Sequence, residues 1–214
     1  MSSSRIPRSS QCAIHAQLER VVRRHLASSW QQPIRPHTQR AFDLLSESLS
    51  AGAALILDSG CGTGHSTAKL ALAHPDALVI GVDKSESRLA RGPDLPGNAL
   101  MVRAELADFW RLAHLAEWRL SRHYLLYPNP WPKPAQLQRR WHGHPVFPQL
   151  LALGGRLELR TNFELYAVEF ARALEIAGVA TVEVVSFQSR EPVSPFERKY
   201  ADSGHELYRL IAEL

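Results

Sequence analysis

Leu55-Ile56-Leu57-Asp58-Ser59-Gly60-Cys61-Gly62-Thr63-Gly64 is the stretch on which the architecture turns. An apolar run closes on a carboxylate, three alternate glycines follow, and a helical pattern opens at Ser66; this is the order strand, tight turn, helix. Glycine suits such a turn because a side chain would hold the backbone away from a ligand lying across it. The next apolar run, Leu78-Val79-Ile80-Gly81-Val82, closes on Asp83, about twenty residues past the glycines, where an acidic group takes the hydroxyls of a ribose. Together the two features predict a bound nucleoside.

Spacing narrows the choice of nucleoside. A dinucleotide site would want a further glycine at position 65, which is His65; the glycines stand at 60, 62 and 64. The D-x-G-x-G-x-G pattern resembles the first motif of class I S-adenosylmethionine methyltransferases. That likeness implies the methionine end of the cofactor over Gly60, Gly62 and Gly64, with Asp58 helping to hold its ammonium group. A glycine-rich turn can also join a strand to a helix and bind nothing.

Composition sets the outer bounds. The chain has 214 residues, a hydrophobic share of 45% and a formal charge of +4, as expected of one soluble globular domain with a substantial core. No run approaches the roughly eighteen apolar residues of a membrane span, and the Ser-rich, Arg-bearing start lacks the apolar segment of a signal peptide. The expectation is a cytoplasmic protein without membrane contact. Cys12 and Cys61 form neither a metal spacing nor a disulfide framework, so no metal is expected. Charge is uneven: residues 1–40 carry Arg5, Arg8, Arg20, Arg23, Arg24, Arg35 and Arg40 against the single acid Glu19. This favours a polyanionic partner, although a solvated helix face would read the same way. The expected organisation is a basic N-terminal helical arm over 1–50 and a catalytic domain over 51–214, acting as a monomer or homodimer.

Residues 1–11 are polar and expected to be disordered. Helices are predicted over 12–26 and 38–49, joined through Pro33 to Pro36. Strands follow at 53–58, 77–82, 99–103, 122–127, 155–160, 181–187 and 205–212, with helices at 65–73, 85–91, 106–117, 135–151 and 163–177, the last ended by Gly178. Such alternation predicts a doubly wound, mostly parallel α/β sheet of seven strands with helices on both faces and ligands at the carboxyl ends of the strands.

The segments after those strand ends are rich in chemistry. Glu105 follows the third strand, suited to an adenine amino group or simply to a helix start. Tyr127-Pro128-Asn129-Pro130-Trp131-Pro132-Lys133 follows the fourth, and its prolines make a stiff loop with little entropy left to lose. Gln138, Arg139, Arg140, His142 and His144 come next, Arg160-Thr161-Asn162 follows the fifth strand, and Ser194-Pro195-Phe196-Glu197 precedes the last. Basic groups, amides and a stacking aromatic at one sheet edge suit a nucleotide.

These motifs resemble the bacterial tRNA (guanine-N7)-methyltransferases, the TrmB type. That family runs F-P-D-P-W-P-K and then a basic stretch ending in paired arginines, here Tyr127 to Lys133 with Arg139-Arg140. Its T-D-x-x-x-Y-A corresponds to Thr161-Asn162-Phe163-Glu164-Leu165-Tyr166-Ala167, and its T-x-F-E before Gly-His to Ser194-Pro195-Phe196-Glu197 before Gly204-His205. The likeness covers roughly 53–214. It implies S-adenosylmethionine as cofactor, held by Asp58, Asp83 and Glu105, with Asn129 at the catalytic, cofactor-proximal position. It further implies tRNA as partner, methylated at N7 of a variable-loop guanosine and contacted by Lys133, Arg139, Arg140, Thr161, Asn162, Ser194, Phe196 and Glu197. Two positions depart from the family: both of its aspartates are asparagine here, Asn129 and Asn162. The basic stretch is also thinned by Pro134, Ala135 and Gln136.

Guanine N7 carries an exposed lone pair and needs no deprotonation, so its methylation is chiefly a matter of positioning. A carboxylate would accept from both N1–H and the exocyclic amine of guanine, whereas an amide offers one acceptor and one donor group. Loss of two carboxylates bears more on choice of base than on methyl transfer. Two other readings stay open: an exocyclic-amine nucleic-acid methyltransferase, since Asn129-Pro130-Trp131 is similar to N-P-P-aromatic, and a catalytically silent paralogue that binds RNA.

Overall fold

The computed structural model describes residues 4–49, 52–180 and 182–214. Among the described residues are seven strands: β1 (Ala54–Ser59), β2 (Ala77–Asp83), β3 (Ala99–Arg103), β4 (Leu120–Leu126), β5 (Arg156–Thr161), β6 (Glu183–Phe187) and β7 (Leu207–Glu213). The helices are α1 (Leu18–Leu26), α2 (Pro36–Ser48), α3 (His65–Ala73), α4 (Glu86–Leu89), α5 (Leu106–Leu115), α6 (Phe147–Ala152), α7 (Glu164–Ile176) and α8 (Pro195–Asp202). The sheet order is β3-β2-β1-β4-β5-β7-β6. The first five strands pair in parallel, and β7 lies antiparallel to both β5 and β6. The doubly wound, mostly parallel seven-stranded sheet read from the sequence is therefore the observed one.

Successive strand residues point to opposite faces, and the apolar runs of β1 and β2 feed two cores. Leu57, Ile80, Val82, Leu125, Leu157 and Leu159 pack with residues of α1, α2, α5, α6 and α7. Ile56, Val79, Tyr124 and Leu126 pack with Leu70 and Ala71 of α3. Buried on both sides, β1 and β2 lack polar alternation, as parallel strands do.

Four local expectations differ from what is observed. Residues 135–151 do not form one helix: two 3-10 turns, Pro134–Arg139 and Trp141–Gly143, precede α6. Arg140 between them is extended (φ −72°, ψ 139°), and Pro145 and Pro148 lack the amide that a continuous helix would use there. The first helix starts at Leu18 rather than Cys12. Residues 195–202, where the sequence pattern predicts neither strand nor helix, form α8, capped by the Ser194 hydroxyl accepting from the Glu197 amide (3.2 Å). Residues 4–11, expected to be disordered, lie along the body, the Ser9 hydroxyl donating to the Pro132 carbonyl (2.5 Å). Thr181, in the expected sixth strand, and the arm boundary at 50–51 lie outside the described residues.

The helices of the basic arm are part of the main core. Leu18, Val21 and Val22 of α1 and Phe42 and Leu45 of α2 are buried in it, while Arg20, Arg23, Arg24 and Arg40 remain exposed. Gly178 (φ 86°) ends α7, with the Val179 amide donating to the Leu174 carbonyl (3.0 Å), the left-handed helix stop expected of that glycine.

Candidate active site

Strand order reverses between β1 and β4, so the chains leaving their carboxyl ends diverge and open a crevice. A cleft of about 690 Å³ lies there. Ser59 and Gly60 line it from the end of β1; Asp83, Lys84 and Arg88 from β2 and α4; Glu105 and Leu106 from the start of α5. The facing wall is the segment Leu126 to Trp131, joined by Gln138, Arg139, Trp141 and His144, and by Phe196 and Tyr200 of α8.

The glycine turn is held from below. The amides of Gly60 and Cys61 donate to the Val82 carbonyl (2.8 and 3.0 Å), and the Gly62 amide donates to Asp83 Oδ2 (3.0 Å). Gly60 and Gly62 have φ of 81° and 61°, and nothing stands within 4 Å of where a Cβ would sit, which leaves an open cradle above the turn. Gly64 (φ 77°) begins α3, and a Cβ there would lie 2.2 Å from Met101 Sδ.

Asp58 sits beneath this turn, 1% exposed. Its Oδ2 accepts from the Ser66 and Thr67 hydroxyls (2.6 and 2.7 Å), while Oδ1 has no partner among the described residues. Burial pushes its carboxyl up to about 6, against the two hydroxyl hydrogen bonds and with help from the nearby Asp83 charge. Asp83 accepts on Oδ1 from the Ser85 amide (2.8 Å) and the Arg88 guanidinium (3.0 Å). The Glu105 amide donates to the buried Thr38 hydroxyl of α2 (3.1 Å), so the arm fixes the start of α5.

The facing loop is under backbone strain. Tyr127 and Trp131 have φ of 54° and 44°, a region costly for bulky residues that persists where the surroundings over-determine it. Asn129 is exposed at the cleft, its Oδ1 accepting from the Trp131 amide (3.4 Å). The Arg139 guanidinium lies 4.9 Å over the Trp131 ring. The Tyr127 ring stands 5.4 Å from that of Tyr200, which stacks on Phe196 at 6.2 Å.

Ser59 accepts from Trp110 Nε1 (3.1 Å) and pairs with His123 Nε2 (2.8 Å). Burial holds His123 down at about 3, and burial with the adjacent His25 holds His144 at about 4. Both imidazoles are neutral and weak bases at neutral pH.

Of the residues singled out from the sequence, Gly60, Asp83, Glu105, Asn129, Arg139 and Phe196 meet in the cleft, and Asp58, Gly62 and Gly64 shape the turn beneath it. Lys133 is exposed but outside the lining. Several others are engaged within the protein and do not line this cleft. Arg140 is fully buried and ion-paired with Glu169. Glu197 is fully buried, accepting from Arg160 Nη1 (3.0 Å) and the Ser189 hydroxyl (2.5 Å), and Ser194 caps α8 above it. Thr161 accepts from the Phe163 amide (3.1 Å) at the start of α7. Asn162 donates to His205 Nδ1 (2.9 Å) and borders a separate cavity of about 650 Å³. Sequence reasoning missed Ser59, Arg88, Trp141 and Tyr200; only Tyr200 had a signal, lying one helical turn after Phe196. Among the described residues no group of three His, Cys, Asp or Glu could hold a metal ion, and no helix is long and apolar enough to cross a membrane.

Residues 52–210 match the profile of a family described as "Putative methyltransferase". A tRNA (guanine-N(7)-)-methyltransferase of Ectopseudomonas mendocina is 31% identical over 166 residues, covering 71% of this chain and 68% of that protein. One from Nocardioides sp. is 30% identical over 163 residues, covering 72% of this chain; the chain spans 65% of that relative's length. Among solved structures, one described as an antibiotic related methyltransferase shares the fold with a TM-score of 0.59 at 15% identity, covering 87% of this chain and 97% of that one.

Proposed function

Because this chain belongs to that methyltransferase family, we propose that it uses S-adenosylmethionine to methylate N7 of a guanine in tRNA, giving 7-methylguanosine. The observation that carries the reading is one cleft whose two walls are the glycine turn and the proline-stiffened loop bearing Asn129.

The residues present fit the cofactor. The unpartnered, buried Oδ1 of Asp58 suits an ammonium group, and the open space over Gly60 and Gly62 admits the methionine end. Asp83 Oδ2 accepts a single amide hydrogen bond and keeps a lone pair for a ribose hydroxyl. Glu105, half-buried at the cleft, would accept from the adenine amino group. When bound, the cofactor supplies an electrophilic methyl group on a sulfonium.

The chain's own residues then orient the base. Tyr127, Phe196 and Tyr200 offer aromatic faces, and stacking of a base on such a face contributes about 1–3 kcal/mol. The Asn129 amide oxygen accepts from Trp131 N–H and keeps its second lone pair, and the amide's NH₂ is free to donate to the substrate. A donor there suits guanine O6, the acceptor beside N7. Guanine N7 has no proton to give up, so the weakly basic His123 and His144 are no obstacle. Arg139 at the mouth and the exposed arginines of α1 offer charge to phosphates.

Incubation with methyl-labelled S-adenosylmethionine and bulk tRNA, then digestion to nucleosides, tests the proposal. Label in 7-methylguanosine is expected. Label in a methylated exocyclic amine, or none with retained tRNA binding, would overturn it.

A further inference from the structure

Three consecutive carbonyls of the Asn129 loop are gripped from outside the loop. Arg140 Nε donates to Trp131 O (3.1 Å), the Ser9 hydroxyl to Pro132 O (2.5 Å), and Arg140 Nη2 to Lys133 O (3.4 Å). Arg140 cannot swing away, because its Nη1 is paired with Glu169 and both side chains are fully buried. Gln11 ties the pair together: its Oε1 accepts from Arg140 Nη2 (3.1 Å), and its Nε2 donates to Glu169 Oε1 (2.5 Å). The His15 amide donates to the same carboxylate oxygen (2.8 Å).

We propose that the segment Ser9 to His15, together with Arg140, is a clasp that sets the geometry of the Asn129 loop, with Ser9, Gln11 and Arg140 as positioning residues. The bonds land on the backbone of the strained Trp131 and its two successors, and the Trp131 amide in turn holds Asn129 Oδ1 (3.4 Å). A displaced Trp131 peptide therefore moves the Asn129 amide. Misplacement of a reacting geometry by about 1 Å can cost on the order of 10²-fold in rate. Glu169 stays ionised throughout the working range: burial acts to raise it, but His142, Arg140 and the His15 amide outweigh this and hold it at about 2.

The proposal rests on the methyl transfer inferred above, and full-length Ser9→Ala and Gln11→Ala variants test it separately from that reading. Ser9→Ala removes a neutral hydrogen bond to Pro132 and Gln11→Ala removes the bonds to Arg140 and Glu169, each leaving the Arg140–Glu169 pair in place. Expected are faster amide exchange at Trp131 and Lys133, and a kcat for tRNA methylation lowered about tenfold in the double variant, through displacement of the Asn129 amide. KM for tRNA and cofactor affinity should stay within about twofold, and Ser9→Thr, which keeps the hydroxyl, should hold the wild-type rate. Unchanged exchange at the loop amides, or a kcat equal to wild type despite faster exchange, would overturn the clasp. If wild-type protein methylates no tRNA, the functional reading fails, and loop exchange alone then decides whether the segment holds the loop.

Discussion

Replacing Asp58 by Asn should remove a pH dependence that the wild-type site has built into it. The carboxylate is buried with one oxygen unpartnered, and its folded-state value is raised from 3.8 to about 6. A raised group of this kind contributes stability that is fully present below its unfolded value, here near 4, and is lost as pH rises through about 6. About two decades of proton affinity correspond to ~3 kcal/mol, so the ligand-free protein should be more stable at pH 4 than at pH 7 by up to that amount from this group. An ammonium group at Oδ1 reverses the preference by favouring the ionised form. Cofactor binding then releases a proton below about pH 6, and affinity should fall about tenfold between pH 7 and pH 5. Titration calorimetry with S-adenosylhomocysteine, which keeps the ammonium group, at pH 5, 6 and 7 reads this directly. The Asp58→Asn variant should bind more weakly at pH 7 and show little slope. A wild-type affinity that is level from pH 5 to pH 7 would refute the placement of the ammonium group at Asp58.

Asp83→Ala should weaken cofactor binding by about tenfold or more, through loss of a charged hydrogen-bond acceptor that also orients the Gly62 amide; calorimetry at pH 7 checks it. Gly64→Ala should destabilise the fold by about 1–3 kcal/mol, because φ is 77° and the new methyl would stand 2.2 Å from Met101 Sδ; urea unfolding measures the loss. Changing the exposed Arg20, Arg23 and Arg24 to Gln should leave the fold intact and flatten the dependence of log affinity for tRNA on log salt, by roughly 0.7–0.9 for each phosphate no longer neutralised. Salt titration of tRNA binding would show an unchanged slope if those arginines are only a solvated helix face. Truncation of residues 1–40 is a poorer test, since it removes Leu18, Val21 and Val22 from the core.

The strand-turn-helix unit at 54–73 is readable in the sequence because its determinants are local. Apolar runs buried on both faces, an acid at each strand end and glycines that tolerate positive φ all lie within a few residues of the conformation they specify. The same holds for Gly178 at the end of α7. The helical spacing of Leu137 and Trp141 misleads over 135–151, because Arg140 is drawn into an extended conformation by Glu169, 29 positions further on. The segment Ser194 to Glu197 resembles a substrate motif, yet its Ser and Glu cap and anchor α8, and only Phe196 reaches the cleft.

The paired arginines mark the boundary most plainly. Local sequence identifies Arg139 and Arg140 equally as basic residues after a stiff loop; only the folded chain sends one over Trp131 at the cleft mouth and the other into the interior. The sequence by itself determined the sheet class, the glycine turn, the acids at the strand ends and the loop facing them, because short-range sterics and hydrogen bonding suffice for those. The tertiary structure alone decided which polar side chains face the cleft and which brace it, because a buried charge goes where a distant partner offsets its desolvation, and that partner is not written next to it in the chain.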